Sequence, residues 1–405
     1  MSMWRLMDRA SGSGKQMMMG ERTGGGNGGI RVTRRYATIG ALALLAGCTV
    51  IPKGAPPPAA TPTETAPVAN TLPTDQDRHR VALLVPMSGP NATVGQSIAN
   101  AATMALLDTN AANLRITTYD TATGAANAAS KAVKDGNRLI LGPLMGDDVL
   151  AVAGVARPAK VPMITYSNDT TVADRDVFVL GQSPAQSVAR VLQYAHANGV
   201  NTVGAIIPAG DYGQRVSTAL VSAARSSGVT LAGVESYERS NTSVGSAVRR
   251  LKAKGKIDAI LIGDSARMAL MAAPFATGTH LLGTELWSGE ATIAKSPAMK
   301  GALFASVSDR RFGQFEQSYR TRFGGAPARL ATLGYDSVLL TLNIARGWKP
   351  GTLFPTARLY DREGFIGLDG VFRFNDFGVA ERAMEVRQVS GGTFVTVSPA
   401  PTKFQ

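Results

Sequence analysis

The chain has 405 residues, 44% apolar and 18% charged, with a formal net charge of +13, a balance that belongs to globular rather than disordered or fibrous chains. Residues 1–47 hold seven basic and two acidic side chains, which leaves +8 on the remainder. That excess favours anionic surroundings, but the basic residues are scattered and no nucleic-acid partner is expected. A single cysteine, Cys48, excludes an intrachain disulfide and any cysteine-rich zinc site.

Residues 1–30 read as neither signal nor domain. Gly24 to Gly29 is a glycine-rich stretch without periodicity. Ser11-Gly12-Ser13-Gly14-Lys15 imitates a phosphate loop, but Gln16 stands where Ser or Thr would bind magnesium and the first glycine is missing. The expectation is an over-long start, with the true one nearer Met19 or at Val32. Residues 31–47 have the layout of a secretory signal: Arg31, Arg34 and Arg35, then a dozen mostly apolar residues from Tyr36 to Gly47. That run is shorter than the ~20 residues a membrane span needs. Arg34-Arg35 fits twin-arginine export or general secretion. Leu45-Ala46-Gly47-Cys48 resembles the bacterial lipobox, which implies cleavage before Cys48, diacylglycerol on its sulfur and a membrane partner. The plainer reading, a free or buried thiol, fits the position and flanks less well. Val50, two residues on, implies outer-membrane delivery in a Gram-negative bacterium.

Residues 48–78 are expected to be a tether, interrupted by Pro52, Pro56, Pro57, Pro58, Pro62, Pro67 and Pro73. Such a segment extends at ~3.1 Å per residue, on the order of 75 Å for ~25 residues.

The folded part opens with the apolar run Val81 to Val85, as buried parallel strands do. A helix follows over 94–108, with Ile98, Ala101, Ala102, Ala105 and Leu106 on one face. Strands at 114–119, 138–141, 162–166 and 177–180 alternate with helices near 125–133 and up to Pro158, the latter capped by Asp147 or Asp148. A second series runs from Pro184: helices 184–197, 212–226, 243–254 and 265–273, with strands 203–207, 229–237, 257–262 and 281–283. Helices 311–323 and 327–346 come next, then short strands at 371–374, 384–389 and 393–397. Alternation of this kind means parallel sheets with helical crossovers. The predicted fold class is α/β with two doubly wound lobes. About 325 residues are long for one core, which agrees with two.

The order of pieces resembles type I periplasmic binding proteins of the leucine/isoleucine/valine-binding kind. The matching stretches are 81–90, Ile140-Leu-Gly-Pro-Leu144, 161–165, Asp211-Tyr-Gly213, Gly334-Tyr-Asp336, 365–370 and 374–378. The stretches 281–287 and 330–336 look like a lipoprotein branch, the penicillin-binding protein activators, whose N-terminal helical-repeat domain has the tether in its place here. The resemblance implies two lobes joined by three crossovers: 79–183 with 308–350, and 184–307 with 351–398. It also implies a ligand between them, outside the carboxyl ends of the strands.

The candidate ligand residues are Ser88, the N–H groups of Met145 and Gly146, Ser167, Asp169, Tyr212, whose ring could close over a ligand, and Glu285. Glu285 lies where the resemblance puts an acid for a ligand ammonium. Asp169 stands where it puts a threonine-like donor, which argues against a plain α-amino acid. Loop capping is the ordinary role of such residues. Catalysis is not called for. His79, His196 and His280 are the three histidines, no His-Glu-x-x-His spacing occurs, and Gly181-Gln182-Ser183-Pro184 lacks the closing glycine of a nucleophile elbow. No metal or cofactor is expected. Two functions follow from the resemblance: a regulator of peptidoglycan synthesis whose partner is a synthase, placed first, and the substrate-binding lipoprotein of an amino-acid-type ABC transporter; the expected small polar ligand is an amino acid or a cell-wall fragment.

Overall fold

The computed structural model describes residues 77–239 and 243–404. The expected leader, Cys48 and the tether up to residue 76 lie outside them. The first lobe is built from β1 (His79–Val85), α1 (Ala92–Asp108), β2 (Leu114–Asp120), α2 (Ala125–Lys134), β3 (Leu139–Leu141), α3 (Gly146–Ala156), β4 (Met163–Thr165) and β5 (Val177–Val179). Its five strands are all parallel, in the order β2-β1-β3-β4-β5. The unbroken apolar strands have this physical basis: both faces of the sheet are covered. Val81, Leu83 and Val85 face a core that includes α1, while Ala82 and Leu84 face α2 and α3. Each such Val or Leu contributes ~1.5–3 kcal/mol by leaving water.

The second lobe holds α4 (Pro184–Ala197), β6 (Thr202–Pro208), α5 (Asp211–Ser227), β7 (Thr230–Tyr237), α6 (Val244–Lys252), β8 (Ala259–Ile262), α7 (Ala266–Ala272), β9 (His280–Gly283), α8 (Ala291–Lys295) and β10 (Leu303–Val307). The chain then returns to lobe 1 with α9 (Phe312–Phe323), α10 (Ala331–Ala345), β11 (Phe365–Gly367), β12 (Gly370–Phe374) and β13 (Ala380–Arg382). It crosses a third time into β14 (Met384–Ser390) and β15 (Thr393–Ser398). The second sheet runs β15-β14-β10-β9-β8-β6-β7. Its first two strands are antiparallel additions to a parallel core. Helices α4 and α5 cover one face, and α6, α7 and α8 the other.

Three expectations are corrected. Residues 351–382 do not join lobe 2: Phe354, Leu359, Phe365, Phe372, Phe374 and Ala380 pack in the core of lobe 1, because aromatic side chains of this size need the apolar surface that β1, α1 and α10 offer. The third crossing is therefore at Arg382–Met384. Helix α10 starts at Ala331 rather than 327, since Ala328 N is held by Ser97 Oγ at 3.2 Å and Arg329 turns aside to Asp309 and Asp369. Strand β10 was not expected; it follows a five-residue helix, so the helix-strand rhythm that reveals the others is missing there.

The first turn after the leading strand is built alike in both lobes. A Cβ at Gly95 would stand 1.8 Å from Pro86 O, and one at Gly213 1.8 Å from Pro208 O. Only glycine lets each helix start lie this close to its strand end. No described helix is long and apolar enough to cross a membrane.

Candidate functional site

Parallel sheets present their variable loops at the carboxyl ends of the strands. In lobe 1, Ser167 follows β4, and its Oγ accepts from Asp169 N at 3.0 Å. Asp169 Oδ1 accepts from Thr171 N and Thr171 Oγ1 at 2.9 and 2.7 Å, which pins the carboxylate in a turn. A Cβ at Gly146 would lie 3.1 Å from Ser167 Oγ and 3.6 Å from Asp169 Cβ. The fold thus gathers Gly146, Ser167 and Asp169.

The start of α3 is a poorer anion site than its backbone suggests. Its cap residue is Met145, extended and without a side-chain capping bond, so neither Asp147 nor Asp148 is the cap. Both acids sit in the first turn, where they suit the helix dipole themselves. Burial, and then Asp147, raise the pKa of Asp148. Met145 Sδ accepts from Asn91 Nδ2 at 3.7 Å. Ser88 donates to Asp120 Oδ2 at 2.6 Å. Burial opposes the Asp120 charge, but hydrogen bonds from Ser88 Oγ and from Met87 N and Ala122 N outweigh it and hold the carboxyl below its ordinary range.

In lobe 2 the structure joins Tyr212 and Glu285. Tyr212 OH donates to Glu285 Oε1 at 2.9 Å and lies 3.1 Å from Thr284 Oγ1. Ser187 of α4 donates to Glu285 Oε2. Both side chains are buried. Burial raises the pKa of each, strongly for Tyr212. The ring of Tyr212 therefore packs within lobe 2 instead of reaching across, and both Glu285 oxygens are engaged there. A second buried acid, Asp264 after β8, receives the Arg239 guanidinium at 2.8 and 2.9 Å and the Tyr237 hydroxyl.

Among the described residues, a contact spans the two faces. Arg215 on α5 donates from NH1 to Asp169 Oδ2 at 3.1 Å, with side chains 28% and 21% exposed. The Nε of Arg215 is buried and has no hydrogen-bond partner among the described residues. Sequence reasoning missed Arg215, Asp120, Asp264 and Arg239. For Arg215 a signal existed: it falls three residues after Tyr212, on the same side of a helix. Among the described residues, no group of three or more His, Cys, Asp or Glu side chains converges as a metal site requires.

Residues 79–393 match the sequence model of a family described as periplasmic binding protein. An uncharacterised protein of Rickettsia prowazekii (strain Madrid E) is 23% identical over 336 residues, covering 80% of this chain and 90% of that one. The leucine-binding protein LivK of Thermotoga maritima superposes with a TM-score of 0.63 at 21% identity, over 80% of this chain and 98% of that one. A solute-binding protein of an ABC transporter from Rhodopseudomonas palustris BisB5, in complex with 3,4-dihydroxybenzoic acid, gives 0.64 at 19%, over 81% and 97%. LivJ of Streptococcus pneumoniae, in complex with isoleucine, gives 0.60 at 19%, over 80% and 100%. These likenesses establish the shared two-lobed α/β fold.

Proposed function

The chain belongs to the periplasmic binding protein family, and on that premise we propose that its two lobes form the periplasmic solute receptor of an ABC transporter, anchored through a lipid on Cys48. The ligand in this reading is a small carboxylic acid that also carries an ammonium or hydroxyl group. The observation that carries it is Arg215: a guanidinium at the interlobe face, one N–H buried without a partner among the described residues and another on Asp169. A guanidinium fork matches a carboxylate. When a ligand carboxylate takes the fork, Asp169 is released to accept from the ligand's own donor. Leucine, isoleucine and dihydroxybenzoic acid, which the similar structures name, all combine such groups. Glu285 has a positioning role here: through Tyr212 it fixes the first turn of α5, one turn before Arg215.

The sequence reading placed the peptidoglycan-synthesis regulator first; the family and its transport-type neighbours support the receptor more strongly. The regulator keeps one supporting observation, that Arg215 already supplies Asp169 with a partner from within the chain.

Calorimetry against branched-chain amino acids, hydroxybenzoates and muropeptides tests the reading. Saturable binding of one small carboxylic acid is expected, about tenfold or more weaker in Arg215→Gln, and weakened in Glu285→Ala. Silence with every acid, together with capture of a peptidoglycan synthase by the same preparation, would favour the regulator.

A further inference from the structure

A second pocket lies at the other end of lobe 1, where its strands begin. Arg78, His79, Arg80, Gly136, Arg138 and Trp348 line a pocket of about 370 Å³. The carboxyl end of β1, where the cleft residues lie, is on the order of 20 Å away along a seven-residue strand. The two sites are therefore separate.

The pocket concentrates positive charge by strand register. Arg80 on β1 pairs with Arg115 on β2, and Arg138 N donates to Arg80 O at 2.9 Å at the start of β3. The β1–β3 register begins at Val81 and Leu139, so Arg80 and Arg138 precede paired positions and share a face. Neighbouring strands are ~4.8 Å apart, so three guanidinium-bearing residues start side by side. Arg80 NH1 also donates to Asp135 O at the end of α2 at 3.3 Å. The nearby acid Asp135 is engaged by Tyr119 OH at 2.8 Å. Arg80 and Arg138, like charges on neighbouring strands, repel each other unless an anion lies between them.

His79 makes this more than a charged patch. It is only 3% exposed and stacks on Trp348 with ring centroids 4.0 Å apart and planes within 13°. Its Nδ1 is buried and has no hydrogen-bond partner among the described residues. A buried polar atom left so costs stability until something meets it. A basic rim and an orphaned ring nitrogen in one pocket call for a ligand with anionic oxygens and a hydroxyl.

We propose that this pocket binds a phosphate ester bearing a free hydroxyl, of the glycerol phosphate kind, with Arg80 and Arg138 donating to the phosphate oxygens and His79 Nδ1 meeting the hydroxyl. The same chemistry occurs free in solution and on the headgroup of phosphatidylglycerol. Trp348 reports on the site directly. Its emission is obtained from the full chain as the difference between wild type and Trp348→Phe. The probes are glycerol 3-phosphate, inorganic phosphate, chloride at matched ionic strength, and phosphatidylcholine vesicles with and without phosphatidylglycerol.

A saturable change with glycerol 3-phosphate, about tenfold weaker in Arg80→Gln/Arg138→Gln, is the expected result. A change with phosphatidylglycerol vesicles alone, lost in the same variant, supports the site and assigns the headgroup as its source. An equal response to chloride, a response unaltered in the double variant, or silence with every probe overturns the proposal. Calorimetry of the same probes on wild type and the arginine variant gives the answer independently of Trp348→Phe folding.

Discussion

The two lobes meet in two places, and the two are built on different physics. At the crossings the contacts are charge-dense and centre on Asp369, whose side chain is fully buried. Arg329 donates to Asp369 at 2.9 Å and to Asp309 at 3.2 Å, and Arg387 of β14 reaches the other oxygen of Asp309. Gln182 and Thr332 also donate to Asp369, at 3.2 and 2.9 Å. Gln186 bonds Ala380 O and Arg382 N, and Arg382 bonds Leu180 O, so the first and third crossings are tied together. At the cleft, by contrast, Arg215 and Asp169 are a partly exposed pair. Buried charges that lose a partner are left without solvent or counter-ion, whereas an exposed pair exchanges its partner for water at little cost. The crossings thus resist sliding of one lobe over the other, while the cleft opens for ~1 kcal/mol or less per surface pair.

The largest effect should come from stripping the buried end. Asp369 is fully buried beside Arg329, whose side chain is 16% exposed. Asp369→Ala is expected to lower unfolding stability by about 3–5 kcal/mol, read as a fall in the urea midpoint. Replacing both members, Arg329→Met with Asp369→Leu, should recover much of that loss. If it does not, the pair matters for more than mutual neutralisation, and the contrast with the cleft is sharper than drawn.

A pH effect of intermediate size should appear at the same end. Burial first, and then the charge of Asp369, push the Asp336 carboxyl up to about 7. It also accepts from Leu368 N at 2.6 Å. A raised carboxyl pKa adds stability while the group is protonated, fully so below its ordinary value near 4, and that stability is lost as pH rises towards about 7. Relative to Asp336→Asn, wild type should therefore lose stability between about pH 4 and 7, by up to ~1.4 kcal/mol per pH unit. Parallel urea titrations across that range measure it; identical slopes would remove Asp336 from the account.

The smallest change in stability belongs to the cleft. Arg215→Ala should alter unfolding by no more than ~1 kcal/mol, yet shift the population towards open lobes, seen as a larger radius of gyration in solution scattering. An unchanged radius would mean that the crossings alone set the interlobe angle.

Much of the fold was legible in the sequence because periodicity follows from which faces are covered. The run Val81–Val85 reads as a strand buried on both sides, and the end of α5 was marked by Gly228 just beyond it. β10 escaped because no long helix leads into it, and residues 351–382 were assigned to the wrong lobe because aromatic side chains carry no address. In the site, the Asp169 turn could be read from residue type. The engagement of Glu285 by Ser187 and Tyr212 could not, since those three residues come from separate elements, at 187, 212 and 285.

From its order of residues alone, this protein specifies two parallel-sheet lobes and the turns that face the cleft, because helix period, strand burial and turn chemistry act over short distances. Only the folded chain decides that Arg215 meets Asp169, that Glu285 looks inward and that Arg80, His79 and Arg138 share one basic pocket with Trp348. Those pairings depend on strand register and on how the crossings set one lobe against the other, and neither quantity is encoded in any local stretch of sequence.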